Sequence, residues 1–406
     1  MTVRDLFPFF ASNPDLVYMD SAATSQKLGS VIEKGKSFSS FFNAPVHRSS
    51  YSLAYEATEE FEKVRGKAAS FLGSKKEEVV FSFSATSAFN LLANSLGYIQ
   101  DPQNPLYIGK GDEILLSRSE HNSVLLPLQE LAQRRGAALK FLPMTKEGEV
   151  KGWQEAIGEK TKIVAVSRLS NVTGAFAPIP SISAAAHKAG AFVITDLCQA
   201  AAHERIDIKA LGADFAAFSA HKVFGPTGLG FLYGKEELLK ILPPSFFGGS
   251  MVESAWENKR AIYKEAPWKF EAGTQAVCQA VAMGEAFDFL SHLSHEKKGE
   301  ADLTSHLLQA STIKGIKILG PLSPENRAPI FSFSVEGVHP HDVAQFMDSH
   351  GLALRSGHQC AQVLHRSFSL PSSSRASLAL YNEVWEVDRF LNLLEDVGPY
   401  FLKGRL

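Results

Sequence analysis

The chain has 406 residues, more than a single typical core, which predicts two domains or three. Its 41 Lys and Arg balance 43 Asp and Glu, so no basic field is available for nucleic acid or an anionic membrane. Apolar runs fall short of the roughly 20 residues of a membrane span. Asp5 and prolines stand where a signal peptide would be apolar, and three cysteines form no CxxC motif or even disulfide set. We therefore expect a cytoplasmic protein that binds neither nucleic acid nor membrane.

Short, nearly all-apolar segments alternate with helical patterns through the first two thirds of the chain. The predicted strands are 79–82, 114–117, 163–167, 192–195, 215–218 and 230–233, and the helical segments include 122–135 and 180–189. Short apolar strands suit a sheet that is buried on both faces, and the alternation predicts an α/β fold with a mainly parallel sheet flanked by helices. Polar residues that directly follow such strands are expected at the carboxyl edge, where these sheets bind ligands.

The pattern changes after Gly273. Ala280, Met283, Phe287 and Leu290 fall at helical spacing, then a strand-like segment follows at 330–335 and an amphipathic helix around 384–394. This predicts a boundary near residue 275. The large domain would comprise 16–275, and residues 1–15 and 276–406 would form a smaller α+β domain.

Lys222 follows the predicted strand 215–218, between His221 and a glycine-rich loop that begins at Gly225. A lysine at the edge of an apolar sheet is desolvated, which favours the neutral amine and makes it a candidate Schiff-base nucleophile. The alternative is a solvated loop lysine.

Asp196 ends the apolar strand 192–195, where a carboxylate is costly unless it is paired. A protonated pyridine nitrogen is one such partner, and enzymes that use pyridoxal phosphate place an aspartate there. The alternative is a helix N-cap.

Two further segments follow predicted strands. His121 could stack on an aromatic cofactor and carry protons, or could simply be hydrogen-bonded at the start of a helix. The small residues Ser84–Ser87 open a helical pattern, where backbone N–H groups and the helix dipole could bind a phosphate. The same residues also suit an ordinary helix cap.

Together and in this order, these segments resemble the class V aminotransferase family of fold-type I pyridoxal phosphate enzymes. Within that family, the sequence resembles the group II (SufS-type) cysteine desulfurases. The resemblance extends from Tyr18 to Asn382 and is carried by the blocks DLCQA, FSAHKVFGPTGLG, FEAGT, RSGHQCA and RASLALYN.

The resemblance implies roles for individual residues, with pyridoxal 5'-phosphate as cofactor and no metal. Lys222 would hold the cofactor covalently, Asp196 would pair with its pyridine nitrogen, Gln199 would contact the ring hydroxyl and His121 would stack on the ring. The phosphate would lie among Ala85, Thr86, Ser219 and His221, with Thr274 reaching in from the second subunit of a homodimer. The substrate carboxylate would be held by Asn171 and Arg375, with Arg355 in the same pocket.

Cys360 of the RSGHQCA block distinguishes between activities. The resemblance implies that its thiolate takes the sulfur of L-cysteine as a persulfide and that L-alanine is released. The sulfur would then pass to an acceptor of the SufE or SufU type for iron–sulfur cluster assembly. The alternative is that Cys360 is a buried structural thiol. Cys198 and Cys278 match no such nucleophile and are expected to be packing residues.

Some positions differ from the family pattern. Ser84–Ser87 replace the usual Gly-Thr-Thr-Glu, and Gln359 replaces a histidine. Three other activities remain open within the family: a selenocysteine lyase, an aminotransferase and a kynureninase-like hydrolase. A non-catalytic relative in a sulfur-transfer assembly is a fourth alternative, although Lys222, Asp196, Arg375 and Cys360 are all present.

Overall fold

The computed structural model describes residues 2–47, 49–293 and 298–402. In chain order the strands are β1 Val17–Tyr18, β2 Val79–Ser82, β3 Glu113–Leu116, β4 Ala138–Phe141, β5 Thr161–Ala165, β6 Phe192–Asp196, β7 Phe215–Ser219, β8 Gly230–Gly234, β9 Val252–Ser254, β10 Ile262–Tyr263, β11 Ile316–Leu319, β12 Ile330–Val335, β13 Leu352–Ala353, β14 Arg355–Gly357 and β15 Ser373–Ser377. The α-helices are α1 Pro8–Ser12, α2 Gly29–Ser37, α3 Ser52–Leu72, α4 Ala85–Gly97, α5 Asn122–Arg135, α6 Trp153–Ala156, α7 Ile179–Lys188, α8 Ala200–His203, α9 Ile208–Leu211, α10 Glu236–Ile241, α11 Val277–His292, α12 Lys298–Leu307, α13 Pro340–Ser349, α14 Gln362–Ser367 and α15 Val384–Leu402.

Seven strands form the central sheet, in the order β2-β8-β7-β6-β5-β3-β4. The five strands from β7 to β4 are parallel to one another, and β8 is antiparallel to both of its neighbours. The predicted α/β class with a mainly parallel sheet is therefore confirmed. The six predicted strands of this sheet lie within two residues of their observed ends, because each is buried on both faces and reads as an apolar run.

Strand β4 was not predicted. It pairs with β3 alone at the edge of the sheet, and its side chains alternate between exposed and half-buried. An edge strand of this kind needs no continuous apolar run, so four residues with Lys140 among them give no strand signal.

The carboxyl edge of the sheet gathers the residues that carry chemistry. Asp196 and Ser219 are the last residues of β6 and β7, and helix α4 begins just after β2. A Cβ atom at Gly230 would lie 2.5 Å from the carbonyl carbon of Ser84, so glycine is required for the start of α4 to lie against β8.

A second, antiparallel sheet of order β11-β12-β15-β14 packs with α13 and α15 around its own apolar core. Strand β1 joins this half of the molecule by pairing with β13, and Val17 and Met19 are buried in its core. Helix α11 packs instead on α2 and α3. The division into domains at 16–275 stays a prediction, and these contacts cross both of its boundaries.

A buried ion pair anchors the segment of the FEAGT block. Glu271 accepts hydrogen bonds from Arg65 Nη1 at 2.6 Å, from Nη2 at 2.9 Å and from the backbone N–H of Phe81 at 2.8 Å. Both side chains are almost fully buried. Arg65 also bonds Glu62 on its own helix. The segment that leads to Thr274 is thereby attached to β2.

We expect Glu271→Gln to destabilise the protein by about 3 kcal/mol, because it leaves a buried guanidinium short of its main counter-charge. Urea unfolding measures this effect. Glu236→Gln removes an exposed carboxylate that pairs with Lys75 and Lys240, and serves as the control with little expected change. Equal unfolding midpoints for the two variants would contradict the anchoring role of Glu271.

Candidate active site

Lys222 lies on a tight turn directly after β7. A single 3-10 turn, Ala220–Lys222, places the lysine half-buried at the carboxyl edge of the sheet. Among the described residues, its Nζ takes part in no hydrogen bond or ion pair. A solvated loop lysine would be more exposed, and a structural one would be paired. The position therefore suits an amine that is available to react.

The carbonyl of His221, next to the lysine, accepts four hydrogen bonds. The donors are the Ser25 N–H at 3.0 Å, the Ser25 hydroxyl at 3.1 Å, the Thr24 hydroxyl at 3.2 Å and the Lys27 Nζ at 2.9 Å. Ser25 Oγ also accepts the N–H of Phe224, which has a positive φ of 60°. Segment 24–27 thus fixes the turn that carries Lys222.

Asp196 is 6% exposed and has no ion-pair partner among the described Lys, Arg and His side chains. Its Oδ1 accepts the N–H of Cys198 at 2.8 Å, a local turn that does not cap a helix. A buried carboxylate without a cation favours a positively charged ligand atom. Nearby, Gln199 is buried and its Nε2 donates to the carbonyl of Ala22 at 2.8 Å.

His121 caps helix α5 and is half-buried. Its Nδ1 accepts the backbone N–H of Ser123 at 3.1 Å and lies 2.8 Å from the Ser123 hydroxyl. The pKa of His121 is lowered to about 4, mainly by burial and in part by the Lys222 ammonium, while Asp196 opposes the shift. The ring is therefore neutral near pH 7, and the charges of Lys222 and Asp196 both act on it. The cap that the sequence allowed is present, and the contact of His121 with a cofactor stays a prediction.

The start of α4 lies against β7 and β8. Ser84 Oγ accepts the N–H of Ser87 at 3.1 Å, and Ser87 Oγ accepts the N–H of Ser84 at 2.9 Å, so an ordinary capping box is present. The N–H of Ala85 donates to Ser219 Oγ at 2.8 Å. Thr86 is exposed, and its N–H has no hydrogen-bond acceptor in the described chain. This N–H and the adjacent hydroxyls remain available to an anion.

Arg375 and Asn171 meet below the second sheet. Arg375 is 2% exposed; its Nη1 donates to the carbonyl of Asn171 at 3.0 Å, and its Nη2 contacts Asp20 Oδ1 at 3.0 Å. Its Nε is buried without a partner among the described residues. Arg355 lies opposite Arg375 in the β14–β15 pair and is 45% exposed. The two arginines are thus cross-strand neighbours, and both approach Asp20.

Backbone contacts hold the loop of Cys360 to Asn171, the residue whose carbonyl Arg375 contacts. Asn171 Nδ2 donates to the carbonyl of Gln359 at 2.8 Å, and the N–H of Asn122 donates to the carbonyl of Cys360 at 2.9 Å. Gln359 and Cys360 have positive φ angles of 47° and 56°, which non-glycine residues adopt only when their surroundings fix them. The Cys360 thiol is exposed, whereas Cys198 is buried and burial raises its pKa, so Cys198 is a poor nucleophile.

Thr274 is not brought together with these residues within the chain. It is exposed and lines a cavity with residues of 43–47 and 268–279. Its predicted contact with the cofactor of a second subunit stays a prediction, as do the other assigned roles. The structure brings together Lys222, Asp196, His121 and the Cys198 segment through their charges, and Arg375, Asn171 and the Cys360 loop through hydrogen bonds.

Three charged residues of the site were not predicted: Asp20, Lys27 and Glu120. Glu120 is fully buried between two strand ends, and accepts hydrogen bonds from the Ser117 hydroxyl at 2.6 Å, the Ser167 N–H at 2.8 Å and the Ser167 hydroxyl at 2.7 Å. Burial raises its pKa to about 7. Its position directly before His121, after a buried strand, was the available signal.

The pKa of His221 is also lowered to about 4, mainly by burial and further by Lys222 and Lys27. As the pH falls, His221 is therefore protonated in the unfolded chain before it is protonated in the folded one. The stability that the neutral His221 contributes is present above about pH 6.5 and is lost as the pH falls towards 4. We expect His221→Asn to reduce this loss, measured by urea unfolding of cofactor-free protein between pH 7 and 4. His341→Asn, at an exposed site, is the control. Identical pH profiles for wild type and His221→Asn would contradict the prediction. The raised pKa of Glu120 has the opposite effect on the free energy of unfolding, because it favours the folded state at lower pH. Only the difference between wild type and His221→Asn therefore reports on His221.

Comparison with known proteins gives the class. The family model described as "Aminotransferase class-V" matches residues 17–390. The chain therefore belongs to the class V aminotransferase family, as its sheet and the placement of its lysine and buried aspartate indicate.

Within that family, several similar curated and solved proteins are described as cysteine desulfurases or probable cysteine desulfurases. The chain is 39% identical to "Probable cysteine desulfurase" of Halalkalibacterium halodurans, over 98% of each chain, and 40% identical to "Probable cysteine desulfurase" of Streptomyces coelicolor, over 95% of this chain and 93% of the other. An apo cysteine desulfurase of Thermococcus onnurineus NA1 superposes with a TM-score of 0.92 at 32% identity, covering 98% of each chain. The CsdA cysteine desulfurase of Escherichia coli superposes with a TM-score of 0.87 at 32% identity, also covering 98% of each chain.

The chain is thus a member of the pyridoxal phosphate-dependent cysteine desulfurases, and the predicted family and class of enzyme are confirmed. In the part of the chain that is described, no helix is both long and apolar enough to cross a bilayer.

Proposed function

We propose that this protein converts L-cysteine to L-alanine and takes up the released sulfur on Cys360 as a persulfide. One observation carries the proposal. The exposed Cys360 lies on a strained loop that Asn171 and the start of α5 hold beside the pocket of Arg375. An aminotransferase needs the lysine and the aspartate, but it has no use for a thiol held there.

The residues present fit pyridoxal phosphate. Asp196 is a buried carboxylate without a cation, and Lys222 is an amine without a hydrogen-bond partner among the described residues. Ala85, Thr86, Ser219 and His221 would surround the phosphate, and His121 and Gln199 would contact the ring. When bound, the cofactor supplies an electron sink that makes the α-proton of an amino acid acidic and the β-carbon reactive.

The substrate carboxylate would bind Arg375 and Arg355. A planar guanidinium matches a carboxylate with two parallel hydrogen bonds, and the unpartnered Nε of Arg375 is a donor in reserve. Asn171 holds both Arg375 and the Cys360 loop, so it fixes the distance between the carboxylate site and the thiol.

Proton transfer would involve Lys222 and His121. The neutral His121 ring accepts a hydrogen bond at Nδ1, so its proton is on Nε2, where it can be donated to an oxygen or exchanged with substrate. The Lys222 amine, which has no hydrogen-bond partner among the described residues, would be the base that removes the α-proton.

Sulfur transfer then follows. The Cys360 thiolate forms an S–S bond to the substrate sulfur as the Cβ–S bond breaks, and the electron pair of that bond remains with the β-carbon. The β-carbon takes up a proton, the α-carbon regains the proton that Lys222 removed, and L-alanine is released. Carbon is reduced and the two sulfurs share the oxidation, so no external oxidant is required.

Incubation with L-cysteine tests the function. We expect equal amounts of alanine and Cys360-bound or reductant-released sulfur. A 2-oxo acid in place of alanine would identify an aminotransferase, and turnover restricted to L-selenocysteine would identify a selenocysteine lyase. No reaction in yellow, cofactor-loaded protein would favour a non-catalytic role.

The proposal extends to partners and location. A homodimer is supported by Thr274, which is exposed and separate from the other cofactor residues of its own chain. Sedimentation should show an active dimer, and an active monomer would contradict the proposed homodimer.

Cys360 is open to a sulfur acceptor of the SufE or SufU type, which would deliver sulfur to iron–sulfur cluster assembly in the cytoplasm. Addition of such an acceptor should increase alanine release.

A further inference from the structure

Asp20 occupies the carboxylate pocket. It follows β1 and forms a bridge with Ser377 at the end of β15, the strand that carries Arg375. Its Oδ1 lies 3.0 Å from Arg375 Nη2, and its Oδ2 lies 3.9 Å from Arg355 Nη1. One carboxylate of the protein therefore contacts both arginines that the proposed function assigns to the substrate carboxylate.

Two of the five N–H groups of the Arg375 guanidinium are used within the described chain. Nη1 donates to the carbonyl of Asn171, Nη2 donates to Asp20, and Nε has no acceptor among the described residues. A carboxylate binds a guanidinium with two bonds either at the two Nη atoms or at Nε and Nη2. Both arrangements use Nη2, the nitrogen that Asp20 contacts.

Asp20 also limits access to the arginine. The Arg375 side chain is 2% exposed, whereas that of Asp20 is 23% exposed. Burial raises the pKa of Asp20 above its ordinary value even though Arg375, Arg355 and Lys222 all lower it, so the ionised form is incompletely compensated. A second carboxylate at the same nitrogen would be repelled by the first.

We propose that Asp20 is a resident counter-ion of the substrate pocket, which holds Arg375 in place while the pocket is empty and releases Nη2 when the α-carboxylate of the substrate binds. The inference rests on the proposed function, which gives Arg375 its substrate. It makes Asp20 a positioning residue that tunes substrate affinity and takes no part in the chemical step.

The test compares wild type with Asp20→Asn, using 3-mercaptopropionate as the probe. This compound has the carboxylate and thiol of cysteine but no amine, so it cannot replace Lys222 on the cofactor. The asparagine keeps an acceptor for Nη2 and removes the charge. We expect the dissociation constant of 3-mercaptopropionate, measured by calorimetry, to be roughly threefold to tenfold lower for Asp20→Asn than for wild type. KM for L-cysteine should fall with it, without an increase in kcat.

Glu113→Gln is the matched control. Glu113 pairs with Lys140 on the strand β3, at the opposite end from the carboxyl edge, so the same charge is removed far from the pocket. Its affinity for the probe should equal that of wild type. Equal or weaker binding of the probe by Asp20→Asn than by wild type would overturn the proposal.

A crystal structure of the wild type with 3-mercaptopropionate tests the proposed role of Asp20 even if Asp20→Asn does not fold. The probe carboxylate should lie on Arg375, with Asp20 Oδ1 beyond hydrogen-bond distance of Nη2. If Asp20 retains Nη2, the proposal is wrong. Absence of alanine release from L-cysteine would refute the proposed function alone, because neither binding measurement depends on turnover.

Discussion

The Lys222→Ala variant should fold and lose covalently held cofactor together with nearly all activity. The amine is replaced by a methyl group, while Asp196, His121 and the start of α4 remain to bind pyridoxal phosphate without a covalent bond. Because the lysine serves both as nucleophile and as proton carrier, we expect alanine release to fall roughly a thousandfold or more. Borohydride reduction followed by mass spectrometry should find the cofactor on the peptide of Lys222 in wild type and on no peptide of the variant.

Lys146→Ala is the control for this variant, since Lys146 is exposed on a loop before Gly148. It should retain full activity and the covalent cofactor. The fold of Lys222→Ala is checked by its unfolding midpoint, because segment 24–27 bonds the His221 carbonyl and not the lysine side chain. Wild-type turnover by Lys222→Ala would show that the lysine assignment is wrong.

The Cys360→Ala variant should bind L-cysteine and change the cofactor spectrum, but release alanine roughly a hundredfold more slowly, because the nucleophile that cleaves the C–S bond is missing. In the proposed mechanism, substrate binding and loss of the α-proton depend on Arg375, Lys222 and Asp196, and this substitution changes none of them. The alanine side chain also fits the exposed position without a cavity. Stopped-flow absorbance and alanine analysis separate the two steps.

Mass spectrometry of wild type after reaction with L-cysteine should show one added sulfur on the peptide of Cys360. Peptides of Cys198 and Cys278 should carry none, because Cys198 is buried with a raised pKa and Cys278 Sγ is held within hydrogen-bond distance of the Gly35 carbonyl and Ser39. Selenium is a better leaving group than sulfur, so Cys360→Ala is expected to keep part of any activity on L-selenocysteine. A persulfide on another cysteine would show that the assignment of Cys360 is wrong.

The sequence was informative where burial produces a local pattern. The strands of the central sheet are apolar runs, and Asp196, Ser219 and Lys222 could be placed at one edge because they directly follow such runs. Helix α5 was predicted with its observed ends because its cap, His121, and its terminal Gly136 with a positive φ both carry local signals. The roles of Gln199, Arg375 and Cys360 came from the family resemblance alone.

The contacts that sequence reasoning missed are distant along the chain. Asp20 meets Arg375, and Lys27 bonds the His221 carbonyl, but nothing within a few residues of Asp20 or Lys27 marks either contact. Both depend on the way the N-terminal segment passes between the two sheets. Local periodicity reports which face of an element is buried, and it contains no information on which distant element covers that face.

The pairing of β1 with β13 and the bridge from Asp20 to Ser377 set the order in which the site can form during synthesis. On the ribosome, the central sheet and the turn of Lys222 are complete while the second sheet is still unmade. The contact of Asp20 with β15 cannot form until that strand, near the end of the chain, has been synthesised, and such non-local contacts form late. We therefore expect the half of the site that carries Lys222 to fold before the half that carries Arg375.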